Sequence, residues 1–491
     1  MAKEILASVD EQEKRIVILE NGRIEDYFFE REGDKPIVNN IYKGIVEDIT
    51  PALGAVFVNI GLNRKGFLYM DEPAETIFTA DARVRGRTIG EVVQKGDVLL
   101  VQVSKEPFAG KGARLTTNIS LPGKYLVLVP FSKLRGVSKK IVNDSERTRL
   151  KEIVSSFKSN YGFIVRTAAV GVSRKELEKD ASYLISQWRS LYRRAVRANP
   201  PALVFEEHDI LLRVVRDYFD ERIDRLVVDD RKEFTRIRSF IRSTFPRLLD
   251  RVELYRADVP LFELRGVEHQ IEEIYSPVVH LPGGGYLIIE ETSALTVIDV
   301  NSGKFKAIRR PQEEMALMVN CEAAQEIGRQ LRLRDIGGII VIDFIDMKFD
   351  AHKSEVLSVL KAALAADKAR SEIVSVSPLG LVEMTRERTE RTSEARAFTP
   401  CPCCSGRGKV KSVKSVAIDL FRKLRYSLRQ DRRRKKKVII KAHETVVRYL
   451  KSQKDTLADL RRRFNTETQF VVDNNLGPDK YHLEVVGFVR K

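Results

Sequence analysis

Through the first 120 residues apolar and polar positions alternate with the two-residue period of half-buried strands. The stretch "RIVILENGRIEDYFF" sets an apolar run on each side of Asn21-Gly22. That dipeptide is the strongest short hairpin signal, so residues 1–30 are expected to be strands. Residues 36–120 carry short alternating segments, among them "NIYKGIVEDI", "GAVFVNIG", "KGFLYM" and "DVLLVQVSK", parted by turn residues. Five or so short strands in that length predict a small barrel.

The period then changes. Residues 121–213 read as mixed α and β, with "KYLVLVPF" and "YGFIVRTAAV" as strands. "SRKELEKDASYLISQWRSLYRRAVRA" reads as a helix, with Ser173 and Glu176 forming a capping box and Asn199-Pro200-Pro201 ending it. After a mixed segment to about 276, strand and helix alternate. The strand "SALTVIDV" leads to a helix from Pro311 to Arg334 and a Gly337-Gly338 break. The strand "IIVIDFI", a helix near 352–368 and the strand "EIVSVS" follow. Such alternation predicts a mainly buried sheet. Beyond a cysteine cluster, residues 410–491 read as a basic, helix-forming tail containing "RRRKKK" at 432–437.

Length and charge add to this picture. A chain of 491 residues exceeds one ordinary core, so roughly three or more domains are expected. No apolar run approaches a membrane span, and "MAKEILASVDEQEK" has charges where a signal peptide would be apolar. The expectation is a cytoplasmic protein without stable membrane insertion. Lys and Arg number 86 against 69 Asp and Glu, a net charge of +17. That excess suits a polyanion, though charge alone does not separate nucleic acid from an anionic membrane. Of four cysteines, Cys401, Cys403 and Cys404 crowd into "TPCPCCSGRG". A secreted disulfide framework would spread them, so a reducing compartment fits better.

Asp299 and Asp343 each end an apolar strand, where ligand sites of open α/β sheets lie. Asp299 and Asn301, two apart, share a strand face, whereas Asp343 and Asp346 would not share one on a regular strand. Two carboxylates meeting there would repel unless a cation lay between them, and an oxygen-only set suits Mg²⁺. Spacing alone favours the plainer reading of each as a strand-end cap or turn residue. In the barrel, Phe57 and Phe67 flank Arg64 and Lys65, and Lys111 lies in "GKGARLTT". Aromatic faces with interleaved cations suit single-stranded nucleic acid, but either ring alone could be core. Arg166 and Thr167 end the strand "FIVRTAA" and could clamp a phosphate, or be ordinary surface residues. The "RRRKKK" run reads as a solvated face or linker, or as non-specific RNA binding.

The chain resembles the ribonuclease E/G family of bacterial endoribonucleases. The resemblance runs in family order through "NIYKGIVEDITPALGAVFVNIG", "KGFL", "LTTNISLPGKYLVL", "FIVRTAA", "LTVIDVNSG", "RQLRLRDIGGIIVIDFIDM", "GLVEMTRER" and "CPCCSGRG". It is nearest to the members without a long disordered C-terminal extension. The resemblance implies a Mg²⁺-dependent endoribonuclease that cuts single-stranded A/U-rich RNA. Products would carry 5′-phosphate and 3′-hydroxyl ends, in rRNA and tRNA processing and mRNA decay, with a 5′-monophosphate on the substrate stimulating cleavage. It implies catalysis by Asp299, Asn301 and Asp343, with Asp299 and Asp343 holding Mg²⁺ and Asp346 not a ligand. Phe57, Phe67 and Lys111 match RNA-binding positions. Gly123, Val127, Arg166 and Thr167 match a pocket that senses the 5′-phosphate. Cys401 and Cys404 match thiolates that share one structural Zn²⁺ with a second chain, Cys403 being a bystander. The implied assembly is a zinc-linked homodimer and, through the C-terminal domain, a homotetramer. A degradosome partner is not indicated, and a small contact with one stays open.

The implied fold is α+β and multidomain. A split RNase H-like domain takes residues 1–35 and 214–276, with an inserted OB-fold RNA-binding domain (36–120) and a 5′-sensor domain (121–213). A DNase I-like α/β catalytic domain (277–400), the zinc-link (401–408) and a small C-terminal oligomerisation domain (409–491) follow. Two departures stand out. "SPLG" at 377–380 has Pro378 where the family's sensing pocket draws an arginine from "SRFG", with Arg386 and Arg388 nearby in sequence. The loop "SGKFKAIRRPQEE" differs from the family in length and residues. Two other readings compete: a non-catalytic RNA-binding factor of ribosome assembly or translation, and a zinc-linked scaffold. Neither needs Asp299, Asn301 and Asp343 together.

Overall fold

The computed structural model describes residues 2–33, 35–78, 87–107, 111–304, 311–388, 392–431 and 435–487. The six residues 305–310 of the atypical loop and residues 432–434 of the basic run lie outside them. The chain is mixed α+β and forms two compact units, Met1–Arg396 and Ala397–Lys491.

In the first unit, strands Lys3–Val9, Glu13–Glu20 and Arg23–Arg31 form an antiparallel meander. Asn21 and Gly22 turn its second hairpin with φ of 52° and 80°, the left-handed pair a tight two-residue loop requires. Lys3–Val9 also pairs in parallel with Arg225–Val228, which pairs with Val252–Leu254, so distant stretches of sequence complete one sheet. Ile5, Ile16 and Ile18 pack there against Leu211, Val215 and Ile241.

Ile41–Thr50, Ala55–Asn59, Gly66–Tyr69, Arg114–Thr116 and Val98–Lys105 pair in that order, and the last pairs back onto the first. This closes a five-stranded, OB-like barrel. Alternation decides what fills it: Val56, Val58, Leu68, Val101 and Leu115 point inward and are buried. Gly66 is needed beside that core, because a Cβ there would come within 2.4 Å of the Leu115 side chain.

A four-stranded sheet of Arg135–Val137, Gly162–Val165, Leu126–Val129 and Leu121–Pro122 follows. The helix Arg174–Arg197 covers it. Ser173 accepts from the Glu176 N–H and Glu176 returns the bond, the expected capping box. Leu177, Ala181, Leu184, Trp188, Leu191 and Ala195 form its buried stripe. Next, a six-stranded mixed sheet runs Val278–His280, Tyr286–Glu291, Leu295–Asn301, Gly338–Asp343, Val382–Arg386, Ser371–Val376. The helices Gln312–Leu333 and Asp350–Ala365 pack on it through Val319, Ile327, Val356 and Leu360.

The second unit corrects the expected helical tail. Helices Val413–Gln430, Glu444–Ser452 and Lys454–Phe464 do form, but they accompany a sheet ordered Thr466–Val472, Lys436–Ala442, Tyr481–Gly487. Val438, Ile440 and Ala442 alternate into the core, a two-residue period hidden behind the basic run. Lys436, from that run, is buried, and its Nζ donates to the Leu428 carbonyl at 2.9 Å.

Candidate active site and RNA-facing surfaces

Strands Leu295–Asn301 and Gly338–Asp343 run parallel, so both present their carboxyl ends at one sheet edge. Their register sets Asp299 directly beside Asp343. Neighbouring strands lie about 4.8 Å apart, so the two carboxylates start side by side on one face. Ile298, Val300 and Ile342 around them are buried and fix that register. Asn301, two residues on from Asp299, donates from Nδ2 to Asp299 Oδ2 at 2.9 Å.

The regular strand ends at Asp343, so the face argument that set Asp346 apart stops applying there. The irregular turn behind it is held by the fully buried Asn320, which donates to the Ile345 carbonyl at 2.8 Å and accepts its N–H at 3.0 Å. Glu313 holds the next residues, accepting from the Lys348 and Phe349 N–H groups. Partial burial, then the charge of Asp299, then that of Asp346 push the Asp343 carboxyl above its ordinary value. Asp346 is thus close enough to be felt, a neighbour the sequence did not reveal. Among the described residues none of these three aspartates is in an ion pair, and no group of three or more His, Cys, Asp or Glu closes a metal site. Two mutually repelling carboxylates, with oxygen donors only and open positions, fit a hydrated Mg²⁺.

On the barrel, the alternation that buries Val56, Val58 and Leu68 leaves Phe57 and Phe67 half-exposed on the outer face. They are cross-strand partners, with ring centroids 6.0 Å apart, edge to face. Neither is core. Tyr69 continues the row at 4.8 Å from Phe67, and the Arg114 guanidinium lies 4.7 Å from the Tyr69 centroid. Lys111 is exposed nearby in sequence, whereas Lys65 is tied to Glu47 at 3.0 Å. Sequence reading missed Tyr69 and Arg114. Arg114 comes beside Phe67 only through a parallel pairing that no local pattern announces.

Arg166 ends the strand Gly162–Val165 with its guanidinium half-buried. It donates to the Gly123 carbonyl and pairs with Asp217 at 2.8 Å. Asp217 also takes Arg216, at 3.1 and 3.2 Å. Burial would raise the Asp217 carboxyl, but Arg216 and then Arg166 outweigh it and hold it well below the ordinary range. Gly123 has a steric reason: a Cβ there would meet both Asp180 oxygens at 2.7 Å. Asp180 in turn accepts from the N–H groups of Lys124, Tyr125 and Leu126. Val127 is half-buried in the adjoining strand, and Thr167 is exposed beside Arg166. The structure therefore brings Gly123 and Arg166 into contact and sets Thr167 next to them.

In the second unit Cys401 is exposed, with Cys403 and Cys404 half-buried. Backbone N–H groups of Cys404 and then Cys403, and after them the Cys404 thiol, lower the Cys401 pKa. The Gly408 N–H donates to Cys404 Sγ at 3.3 Å. Ser405, Gly406 and Gly408 take positive φ to close this turn. A turn that aims N–H groups at two sulfurs fits thiolate ligation of Zn²⁺, but two thiolates fill half of a tetrahedron.

Residues 120–389 match the ribonuclease E/G family, and residues 400–486 match its thioredoxin-like domain. The chain is 40% identical to ribonuclease G of Salmonella typhimurium over 86% of its length and 88% of that protein. The figures for ribonuclease G of Escherichia coli K12 are the same. Ribonuclease E of Haemophilus influenzae is 36% identical over 99% of this chain and 52% of its own length.

The chain belongs to the ribonuclease E/G family.

It is accordingly an endoribonuclease homologue, with the barrel and the thioredoxin-like domain as two of its parts. This ribonuclease E/G chain keeps its departure at Pro378. That residue lines a cleft with Phe344, Asp346 and Met347, and none of the Arg166 contacts involves it. Nor is Arg386 free to replace a missing arginine. Its guanidinium is buried and spent on Asp367 at 2.6 Å, Asp335 at 3.0 Å and the Ile336 carbonyl at 2.8 Å. Arg388 donates to the Gly337 carbonyl.

Proposed function

We propose that the chain is a Mg²⁺-dependent endoribonuclease that hydrolyses single-stranded, A/U-rich RNA. Its substrates on this reading are rRNA and tRNA precursors and mRNA in the cytoplasm. The observation that carries the proposal is the direct register of Asp299 beside Asp343 with Asn301 bonded to Asp299. A protein that only bound RNA would gain nothing from two unneutralised carboxylates at a sheet edge. When bound there, Mg²⁺ would polarise the phosphate and lower the pKa of a coordinated water. Asp299 and Asp343 would hold it, and Asn301 fixes the orientation of the Asp299 carboxylate. Hydrolysis adds the water oxygen to phosphorus and breaks the P–O3′ bond, leaving a 3′-hydroxyl and a 5′-phosphate. Phe57 and Phe67 would hold the strand by stacking, with Lys111 on its backbone.

Arg166 is the proposed contact to a 5′-phosphate, supported by its place beside the exposed Thr167 and the Gly123 loop. An incoming phosphate must compete with Asp217 for the guanidinium. Asp217 keeps two bonds to Arg216 when Arg166 leaves, so the exchange strands no buried carboxylate. Pro378 supplies neither charge nor N–H, so sensing rests on Arg166 and Thr167. We further propose the RNase H-like and DNase I-like assignments of the domains, and a zinc ion shared through Cys401 and Cys404 of two chains, with tetramers built on that dimer.

The test is cleavage of a short A/U-rich RNA with Mg²⁺, in 5′-monophosphate and 5′-hydroxyl forms, with Asp299→Asn as the blank. Internal cutting by wild type alone is expected, faster on the monophosphate. Binding without cutting by both proteins would replace this reading with that of a non-catalytic RNA-binding factor.

A further inference from the structure

The helix Val413–Gln430 buries Val416, Ala417, Leu420, Phe421, Leu424 and Leu428 along one face. Ile418, Arg422, Arg425, Tyr426 and Arg429 lie opposite, all exposed, Tyr426 at 66% and Ile418 at 50%. At the helical period they form one stripe, roughly 17 Å long at 1.5 Å per residue. None of the three guanidiniums has an ion-pair partner among the described residues. The helix's one acid, Asp419, is 3.7 Å from Lys423 and 3.8 Å from Lys411, and accepts the Tyr481 hydroxyl at 3.2 Å.

Such a stripe does not serve the helix itself. Like charges at i,i+3 and i,i+4 cost an isolated helix a few tenths of a kcal/mol per pair. Only Arg429 gains from the C-terminal dipole. Charge is concentrated here by sequence: residues 409–437 hold thirteen Lys and Arg against two Asp, a net +11 of the chain's +17. The stripe itself needs none of the residues 432–434.

We infer that this stripe is a second RNA-binding surface, in the thioredoxin-like unit and separate from the barrel. Guanidinium forks match phosphate oxygens two bonds at a time, and the exposed Tyr426 ring offers a base a stacking face that tolerates any sequence. A second copy of the chain is a poorer occupant, since a two-fold contact would press like guanidiniums together. The inference rests on the reading of the chain as a nuclease of single-stranded RNA, which makes RNA the polyanion it meets.

The experiment measures affinity of the full-length protein for a 2′-O-methylated single-stranded RNA of about 30 nucleotides across a salt series. It compares wild type with Arg422→Gln/Arg425→Gln/Arg429→Gln, the corresponding triple lysine variant, and Tyr426→Ala. Each single-strand phosphate contact contributes about 0.7 to the slope of log K against log salt, so the glutamine triple should lower it by about 2. The lysine triple keeps the slope. Tyr426→Ala weakens binding about fivefold or more with the slope unchanged. Melting temperature and oligomeric mass stay at wild type in all three variants. An unchanged slope and affinity in the glutamine triple overturn the inference. A changed oligomeric mass with an unchanged slope makes the stripe a subunit interface instead, and equally overturns it. If wild type itself does not bind the RNA, the functional reading has failed first.

Discussion

Phe67 is the centre of the barrel's aromatic row, and its replacement by leucine isolates what the ring contributes. Phe67 touches Phe57 at 6.0 Å and Tyr69 at 4.8 Å, both edge to face. Leucine keeps most of the apolar area against the strand, so the Leu68 side of the sheet, which holds the barrel core, is undisturbed. What is lost divides in two. The edge-to-face contacts are worth about 0.5–1.5 kcal/mol each and belong to the folded protein, so they appear in its melting temperature. The π-face offered to a base is worth about 1–3 kcal/mol and appears only in RNA affinity. That is a loss of roughly 5- to 150-fold in Kd. The assay is equilibrium binding of a single-stranded RNA by Phe67→Leu in an Asp343→Asn background, with Phe67→Trp as the ring-retaining control. Expected is a Kd weakened within that range for leucine and within about twofold for tryptophan. If Phe67→Leu binds within twofold of its parent, the outer face is not a stacking platform, and the row is packing alone.

Asp343→Asn should abolish Mg²⁺-dependent cleavage while leaving RNA affinity intact; cleavage at the wild-type rate in saturating Mg²⁺ removes Asp343 from the metal site. Arg114→Ala should weaken RNA binding by several-fold and reduce the salt slope by about 0.7, as for one lost phosphate contact; an unaltered slope would leave Arg114 merely covering Tyr69. Metal analysis should find that Cys401→Ser and Cys404→Ser lose zinc and that Cys403→Ser retains it, and zinc retained by Cys401→Ser would move the ligand set. Lys124 is buried, donates to the Phe219 carbonyl at 2.7 Å, and has its pKa pushed down to about 8 by burial. The unfolded chain therefore binds more protons between pH 8 and 10.5, and stability rises with pH in that window. Relative to Lys124→Met, wild type should gain on the order of 3 kcal/mol from pH 8 to 10.5, measured by denaturant unfolding; a flat difference would refute the desolvated lysine.

What the chain disclosed by itself was local. The Asn21-Gly22 hairpin needs only its own two residues and the apolar runs beside them. The capping box at Ser173 and Glu176 spans a single turn. The alternation from residue 36 to 120 likewise announced short strands without their partners. It left open whether Phe57 and Phe67 faced inward, because closure of the barrel decides which side is core. Asp299 and Asp343 were legible as strand ends, yet their adjacency depends on two strands being parallel neighbours, which no short-range pattern encodes. The influence of Asp346 on Asp343 was hidden for a related reason: the face rule presumes a regular strand, and this one stops at Asp343. Asn320 and Glu313, which hold the turn beyond it, were invisible as functional positions because they lie on a helix distant in sequence.

The C-terminal unit makes the same point about charge. "RRRKKK" drew the eye as a run, but Lys436 within it is buried on the Leu428 carbonyl and begins the central strand. Of that run Lys436 and Lys437 lie on the strand, which turns them to opposite faces, so these two do not share one surface. Arg422, Arg425 and Arg429 are scattered in the sequence and form no run at all. The helical period brings them onto one side with Tyr426, while the leucines between them go to the core. A polyanion meets surfaces, so the sparse helical set is the better candidate for contact, and the salt slope of its glutamine triple against its lysine triple is where that contact becomes measurable.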